Sequence, residues 1–333
     1  MIKRFLGWCL ALTGLCVAAG ACSTESAIQK ALGVRASAPV FLGYKAVSPA
    51  EIDFRFSLPV EVASLFFDPT LDVKSITGGT TVQIHLNRPA AEGERITANL
   101  LVEDEEGNTL DVLIPFRARN ARLPSFTITE LRIEYSKPKA EFVEIKTKNS
   151  GNLGALRLFS ASISMDTPIW EFPPVEVGEN EYIVIHLRSI EEGIVNETGT
   201  NLAASGGTDA SPTARDFWVP GAVKLLHKTG AVFFMDQDDR IVDGVLLCED
   251  EAGWSKKEFM RTAAELLNSQ GAWIGAGGVP GPQDAVVSKG TTATRSISRR
   301  EARPDTNGKE DWYITATSKA SPGRPNNPEV YVP

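Results

Sequence analysis

The stretch EIDFRF at residues 51–56 alternates charged and apolar side chains without interruption. A period of two places every second side chain on the same face of an extended chain, so this stretch predicts a half-buried β-strand. The alternation recurs in VQIHL at 82–86 and in ITANLLV at 96–102. The turn residues EGN at 106–108 then precede a further strand at 109–117. Several short strands joined by polar turns predict a β-sandwich over residues 39–121.

A second β-rich region follows a polar segment that ends at Pro124. We place the domain boundary within residues 119–124. A helix is predicted at residues 255–269, because Ser255 and Glu258 have the spacing of a capping box. The apolar stripe that follows is predicted to be the packing face of this helix. Apolar runs predict strands at 127–134, 141–146, 156–159, 182–187, 223–226, 231–235 and 240–247.

Six motifs occur in order in this second region. They are FVEI (142–145), EYIVI (181–185), AVFFMD with RIVD (231–243), SISR (296–299), DW (311–312) and SPGRPN (321–326). Their order resembles that of the lamin tail domain, an immunoglobulin-like module named for nuclear lamins that also occurs in exported bacterial proteins. The first region resembles, in pattern alone, an immunoglobulin-like module of exported bacterial proteins.

The resemblance implies an all-β chain of two immunoglobulin-like β-sandwich domains. The second, at residues 122–327, is a lamin-tail-like domain with one inserted helix, and residues 189–220 form a further insertion. The family brings no catalytic set, and it implies a binding or scaffolding module.

Two of these motifs contain residues whose structural role follows from their size or backbone conformation. Trp312 is large enough to fill the gap between two sheets, and Pro322-Gly323 has the residues of a tight turn. We also hypothesise that Glu144 and Arg299 form a buried or half-buried ion pair.

The beginning of the chain has the pattern of a secretory signal peptide over residues 1–21. Lys3 and Arg4 precede an apolar run at 5–18, and the small residues AGA follow at 19–21. Because Cys22 comes next, the stretch resembles the lipobox of bacterial lipoproteins, which implies lipid on Cys22 after cleavage. The alternatives are an ordinary cleaved signal and an uncleaved anchor. Residues 22–38 are interpreted as a lipidated tether.

Charge and cysteine content exclude several classes of function. The formal net charge is −8, and loss of Lys3 and Arg4 with the leader makes it −10. This balance argues against binding nucleic acid through overall surface charge.

Of the four cysteines, Cys9 and Cys16 are expected to leave with the leader, and Cys22 is expected to carry lipid. The remaining Cys248 follows an apolar run and is predicted to be a buried structural thiol.

The sequence offers weak candidates for metal binding or catalysis. The three histidines are far apart, and the acidic cluster at 236–243 lacks the glycine and glutamate of a calcium loop. The basic cluster Arg295, Arg299, Arg300 and Arg303 lacks interleaved aromatic residues for base stacking. We therefore expect no metal, no cofactor and no nucleic-acid partner.

The candidate binding surface is the aromatic pair Phe217 and Trp218. It follows a stretch at 196–213 that is rich in small and polar residues and forms part of a connection longer than most loops. Long loops on a rigid sandwich often carry recognition, and aromatic side chains supply much of the contact energy. The alternative is that both residues complete the core beside a tolerated insertion.

Together these patterns predict a lipoprotein of the bacterial cell envelope, exported and anchored to a membrane through Cys22, on the periplasmic face or the cell surface. It is expected to be a non-catalytic binding or scaffolding module for protein or glycan. The alternative is an envelope hydrolase whose site lies in the inserted loops of the second domain.

Overall fold

The structure is a computed structural model, and it describes residues 38–333. The expected signal peptide, the lipidation site Cys22 and the tether up to residue 37 lie outside the described residues. Within residues 38–333 the chain forms nineteen β-strands and two α-helices, which confirms the all-β class. No helix of the described part is long and apolar enough to cross a bilayer.

The described chain divides into two compact units. The first contains residues 38–89 and 95–116, and the second contains residues 90–94 and 117–333.

Six strands form the first unit. They are β1 (Phe41–Ser48), β2 (Glu51–Asp68), β3 (Val73–Thr77), β4 (Gly79–Leu86), β5 (Arg95–Asp104) and β6 (Thr109–Arg117). The sheet order is β3-β4-β2-β5-β6, and β1 also pairs with β2. As the alternation predicts, Ile52, Phe54 and Phe56 are buried, whereas Arg55 is exposed.

The 18-residue strand β2 organises this unit. Its first half pairs with β1 and β4 and its second half with β5, on either side of a register irregularity between Arg55 and Val60. Phe54 from the first half and Phe67 from the second half both contact Phe116, with ring centroids 5.9 and 6.2 Å apart. The two halves of β2 therefore enclose one core.

Two large sheets form the second unit. The first has the order β14-β13-β8-β7-β18-β19, made of β7 (Phe126–Arg132), β8 (Phe142–Thr147), β13 (Tyr182–His186), β14 (Arg215–Trp218), β18 (Ile297–Arg299) and β19 (Trp312–Ile314). The second has the order β11-β10-β15-β16-β17, made of β10 (Arg157–Ser160), β11 (Trp170–Glu171), β15 (Gly230–Met235), β16 (Ile241–Cys248) and β17 (Val286–Val287). A small pair joins β9 (Gly151–Asn152) to β12 (Glu176–Val177).

One apolar core lies between the two large sheets. Side chains from both sheets meet there, among them Ile128 and Ile145 from the first and Phe233 and Phe234 from the second. Trp312 belongs to this core and is 5% exposed, which confirms its predicted place. The thiol of Cys248 is buried as well, and burial raises its pKa.

The first residues of the helical segment do not form the helix that the sequence predicts. A short helix, α1 (Glu251–Ser255), comes before α2 (Glu258–Ser269). Ser255 therefore ends α1 instead of capping α2, so the predicted capping box is wrong. The cap of α1 is Asp250, whose side chain accepts a hydrogen bond from the backbone of Gly253. The apolar stripe of α2 is a packing face, as predicted: Met260, Ala263, Ala264 and Leu267 are buried.

The strand predicted at residues 223–226 is also wrong. The chain instead forms β14 at residues 215–218, parallel to β13. A parallel strand forms its hydrogen bonds with a strand that is distant in the sequence. The four residues of β14 therefore contain little local sequence pattern that predicts a strand.

Candidate functional site

A cleft of ≈ 620 Å³ lies on the second unit. One wall is the segment 208–213, which precedes β14, and the other is the segment 318–325, which follows β19. Arg132, at the end of β7, also lines the cleft. We call it the Arg132 cleft.

Two buried glutamates fix the wall at 318–325. Glu130 of β7 and Glu144 of β8 are partners in register, and both are fully buried. Glu144 accepts a hydrogen bond from the backbone nitrogen of Gly323 at 2.6 Å, and Glu130 accepts one from the backbone nitrogen of Ser321 at 3.0 Å. The hydroxyl of Ser296 donates to Glu130. These contacts bring three of the sequence motifs together at one place.

The surroundings of the two carboxyls change their acidity. Burial raises the pKa of both carboxyl groups, and that of Glu144 lies well above its usual range. Hydrogen bonds from Ser296 to Glu130 and from Thr129 to Glu144 act in the opposite direction. Burial therefore makes the protonated form of Glu144 more stable, relative to the ionised form, than it would be in water.

The opposite wall is held by Asp209. Its Oδ2 accepts hydrogen bonds from Nη1 of Arg132 at 2.5 Å and from the backbone nitrogen of Ala140 at 2.9 Å. The hydroxyl of Thr213 donates to the carbonyl oxygen of Gly323 at 2.8 Å, which joins this wall to the other one. Both walls are thus held in place by contacts within the second unit.

Arg132 has hydrogen-bonding capacity that the protein does not use. The residue is 3% exposed, and its guanidinium lies over the ring of Phe142 at 4.7 Å. Nη1 donates to Asp209 and to the carbonyl oxygen of Ala140. Nε is buried without a partner, and Nη2 makes no hydrogen bond within residues 38–333 and is not sealed from solvent. Buried donors are normally satisfied, so a guanidinium with free N–H groups at a cleft is able to bind a ligand.

The cleft has a positive charge. Lys139 and Arg324 line it, and neither forms an ion pair within the described residues. With Arg132 they make three cations against the single carboxylate of Asp209, which gives a formal charge of +2.

A neighbouring cleft of ≈ 580 Å³ continues the surface. Both clefts are lined by Lys139 and Thr294. The second also presents the ring of Tyr135, which is 38% exposed and carries the guanidinium of Arg188 at 4.1 Å from its centroid. The two clefts adjoin at these two shared residues, and we call the pair the groove.

A buried histidine–aspartate pair lies in the interior of the same unit. Nε2 of His186 is 2.7 Å from Oδ1 of Asp216, and both side chains are fully buried. The imidazole stacks on Trp218 with centroids 3.8 Å apart, and its Nδ1 has no hydrogen-bond partner in the described part of the chain. A catalytic base must reach a nucleophile or a substrate. No hydroxyl or thiol of residues 38–333 hydrogen-bonds to His186, and the pair joins β13 to β14.

The predicted binding surface at Phe217 and Trp218 is not exposed. Phe217 is fully buried against Phe172, with centroids 5.1 Å apart, and Trp218 is 3% exposed. The indole nitrogen of Trp218 donates to the hydroxyl of Ser205 at 2.6 Å. Both aromatic residues lie in β14 and face opposite sides of it: Phe217 belongs to the core between the sheets, and the inserted segment covers Trp218 through Ser205 and Gly207. They complete the core, which was the alternative interpretation.

The hypothesised pair between Glu144 and Arg299 is wrong as well. Ser298 is the register partner of Glu130, so the next residue along the strand points to the opposite face of the sheet. Arg299 there contacts Asp243 at 3.3 Å and Asp305, far from the buried glutamates.

The charged clusters noted in the sequence have structural partners. Arg295 stacks on Tyr331 and Arg300 on Tyr313. In the acidic turn, Asp236 accepts hydrogen bonds from two backbone nitrogens, and Asp239 pairs with Arg157. Residues 38–333 contain no group of three or more side chains placed to hold a metal ion.

No sequence pattern indicated Arg132, Lys139 or Arg324 as site residues. Arg132 and Lys139 are separated from the segments that face them by about 70 positions or more. The one available signal was Arg324, which lies inside the closing motif SPGRPN.

Residues 124–314, more than half of the chain, match a family model described as "protein second domain". The chain belongs to this second-domain family. The match begins just before β7 and ends with β19, so the second-domain family covers both large sheets of the second unit.

Two known proteins are similar to this member of the second-domain family. An uncharacterized protein of Treponema pallidum (strain Nichols) is 24% identical over 247 residues, which cover 70% of this chain and 61% of the relative. The match thus spans less than two thirds of the relative's length. The crystal structure of the N-terminal part of the bacterial S-layer protein SbsC matches with a TM-score of 0.26 and 14% identity, over 69% of this chain and 49% of that one.

Proposed function

We propose that this chain is an exported lipoprotein of the bacterial cell envelope, anchored through lipid on Cys22. In this proposal its second unit is a lamin-tail-like module that binds a protein or glycan without catalysis. The leader pattern at residues 1–21 and the cysteine after it support the anchor.

The observation that carries the binding role is the Arg132 cleft. Its walls are fixed before any ligand arrives, because Glu144 holds Gly323 and Asp209 holds Arg132. A preorganised site loses little conformational freedom on binding. The N–H groups on Nη2 of Arg132, which make no hydrogen bond within residues 38–333, are available to a ligand.

The lamin-tail assignment is supported by the convergence of its motifs. Glu144 comes from FVEI, Ser296 from SISR and Gly323 from SPGRPN, and all three lie in one buried polar network. A non-catalytic role is supported by the burial of His186, whose one side-chain hydrogen bond within residues 38–333 is to Asp216.

Site-specific photo-crosslinking in the native envelope tests this function. A photoreactive amino acid replaces Pro212, an exposed residue that lines the cleft, in the full lipidated chain. The matched control carries the same group at Glu265, which is exposed on α2. We expect a discrete adduct from position 212 that position 265 does not give. The same adducts from both positions, or none from position 212, would contradict a binding role for this cleft.

A further inference from the structure

Building on the proposed binding function, we infer that the Arg132 cleft binds an acidic glycan, with a sugar carboxylate on the guanidinium of Arg132. The inference rests on three properties of the cleft: its cations, the chemistry of its lining, and the closed edges of the sheet beside it.

The cations of the cleft suit a carboxylate. A guanidinium presents its N–H groups in a plane that matches the two oxygens of a carboxylate. On Arg132 only Nη1 donates a hydrogen bond within residues 38–333, so Nη2 can donate to one carboxylate oxygen. Lys139 and Arg324 lie on the same lining, and neither has an ion-pair partner among residues 38–333. A neutral ligand would leave this excess charge uncompensated.

The rest of the lining suits a polyhydroxylated ligand. Five serine and threonine residues line the cleft, namely Thr208, Ser211, Thr213, Thr294 and Ser318. Its volume of ≈ 620 Å³ lies within the range of about 300–1,000 Å³ that is usual for small-ligand sites. The groove then continues past Lys139 and Thr294 to the exposed ring of Tyr135, which leaves space for more than one sugar unit.

An acidic peptide fits this surface less well. Extended peptides often add a strand to an open sheet edge. Here the outer strands of the neighbouring sheet are already covered: Glu197 donates its backbone N–H to Asp216 on β14, and Tyr331 donates to Ile314 on β19. Amphipathic helices need large apolar anchoring pockets, whereas Tyr182 is the one large hydrophobic side chain that lines the cleft.

Isothermal titration of the full chain in detergent micelles tests the inference. The probe is trigalacturonate, the neutral control is maltotriose, and hexaglutamate represents an acidic peptide. We expect saturable binding of trigalacturonate, at least about tenfold weaker binding of the other two, and weakening at high salt because exposed charges are screened.

A pair of double variants locates the site. Lys139→Gln with Arg324→Gln should reduce trigalacturonate affinity by about tenfold or more. Lys256→Gln with Arg261→Gln removes two cations from the helical region and should leave affinity unchanged. Arg324→Gln alone is the substitute if the first pair does not fold, and it should give an intermediate loss.

The inference is overturned if trigalacturonate shows no binding at millimolar concentration, or if maltotriose or hexaglutamate binds equally well or better. It is overturned too if the Lys139 and Arg324 variants bind like the unmodified protein. A specific crosslink from position 212 combined with no trigalacturonate binding would reject the acidic glycan and retain the binding function. Absence of the crosslink would reject the binding function itself.

Discussion

Oε2 of Glu144 accepts a hydrogen bond at 2.6 Å from the backbone nitrogen of Gly323, 179 positions later in the chain. At Gly323 the backbone has φ +78°, and a Cβ atom added there would lie 2.1 Å from the hydroxyl oxygen of Ser211. This contact therefore requires both a left-handed backbone and a residue without a side chain. One glycine thus sets the distance between the two walls of the Arg132 cleft.

Gly323→Ala should destabilise the second unit by more than strain alone. Gly221→Ala is the control, because Gly221 also has positive φ but no atom within 4 Å of an added Cβ. The control should lower the free energy of unfolding by about 1–2 kcal/mol, because alanine is strained in the left-handed backbone region. Gly323→Ala should lower it by more. Urea unfolding measures the difference in the free energy of unfolding. Equal losses would show that the close approach to Ser211 relaxes freely.

Asp209→Ala should strongly destabilise the second unit, because it leaves the buried guanidinium of Arg132 without its carboxylate. Removing one partner of a buried pair costs about 3–5 kcal/mol. Glu265→Ala breaks the exposed pair with Arg261 and should cost at most about 1 kcal/mol. Chemical denaturation of both variants is the measurement. A small loss in Asp209→Ala would mean that water or another acceptor replaces the carboxylate.

Trp312→Ala tests the core of the second unit. Truncating a buried tryptophan typically costs about 3–5 kcal/mol, and here it also removes the ring beneath Arg299, 4.6 Å from the guanidinium carbon. We expect the second unit to unfold at a much lower denaturant concentration, while the strands of the first unit stay protected from hydrogen exchange. Hydrogen exchange of the strands in each unit is the measurement. Phe66→Ala, at a side chain that is 68% exposed, is the control and should change neither unit. Simultaneous loss of both units would contradict their independence.

The stability of the second unit should depend on pH through Asp243. Burial raises the pKa of its carboxyl to about 6, although Arg299 beside it acts in the opposite direction. An unfolded aspartate has a pKa of about 3.9, so the folded state holds the proton more tightly between these values. The resulting contribution, on the order of 3 kcal/mol, is fully present below about pH 4 and is lost as the pH rises to about 6.

Asp243→Asn removes this titration. Unfolding measured between pH 4 and pH 6.5 should therefore give a shallower decline in the variant than in the unmodified protein, whatever its absolute stability. Parallel curves would show that Asp243 does not titrate in that range.

Cys22→Ala tests the proposed anchor. Without the thiol no lipid can be attached, so the variant should remain an unprocessed precursor and take up no labelled palmitate in cells. Cys248→Ala, at the buried thiol, should be labelled normally. Persistent labelling of Cys22→Ala would place the lipid elsewhere or reject the lipoprotein assignment.

Sequence periodicity was enough for three of the nineteen described strands, and turn residues or apolar runs located seven more. Alternation located β2, β4 and β5, and β6 lies at the predicted positions, because the burial of every second side chain is a local property of an extended chain. It failed for β14, whose four residues follow a polar insertion and depend on β13 for their hydrogen bonds. The aromatic pair in β14 therefore looked like a surface feature.

The site was harder to predict than the fold. Asp209 and Arg132 are 77 positions apart, and nothing in either local sequence indicates that they meet. Arg299 shows a related difficulty. Its neighbour Ser298 faces the buried glutamates, and only the register of β18 against β7 shows that Arg299 faces the other way. Pairings of this kind follow from tertiary packing, which no local pattern contains.

The late position of the turn at 321–323 has a consequence for the order of events during synthesis. A ribosome that has reached Ile314 has already made every strand of both large sheets. Yet Glu130 and Glu144 still lack the backbone donors of Ser321 and Gly323. The wall at 318–325 is therefore made after every strand that it covers, and a chain cut off before Ser321 would keep both sheets but leave the two buried carboxyl groups without these donors.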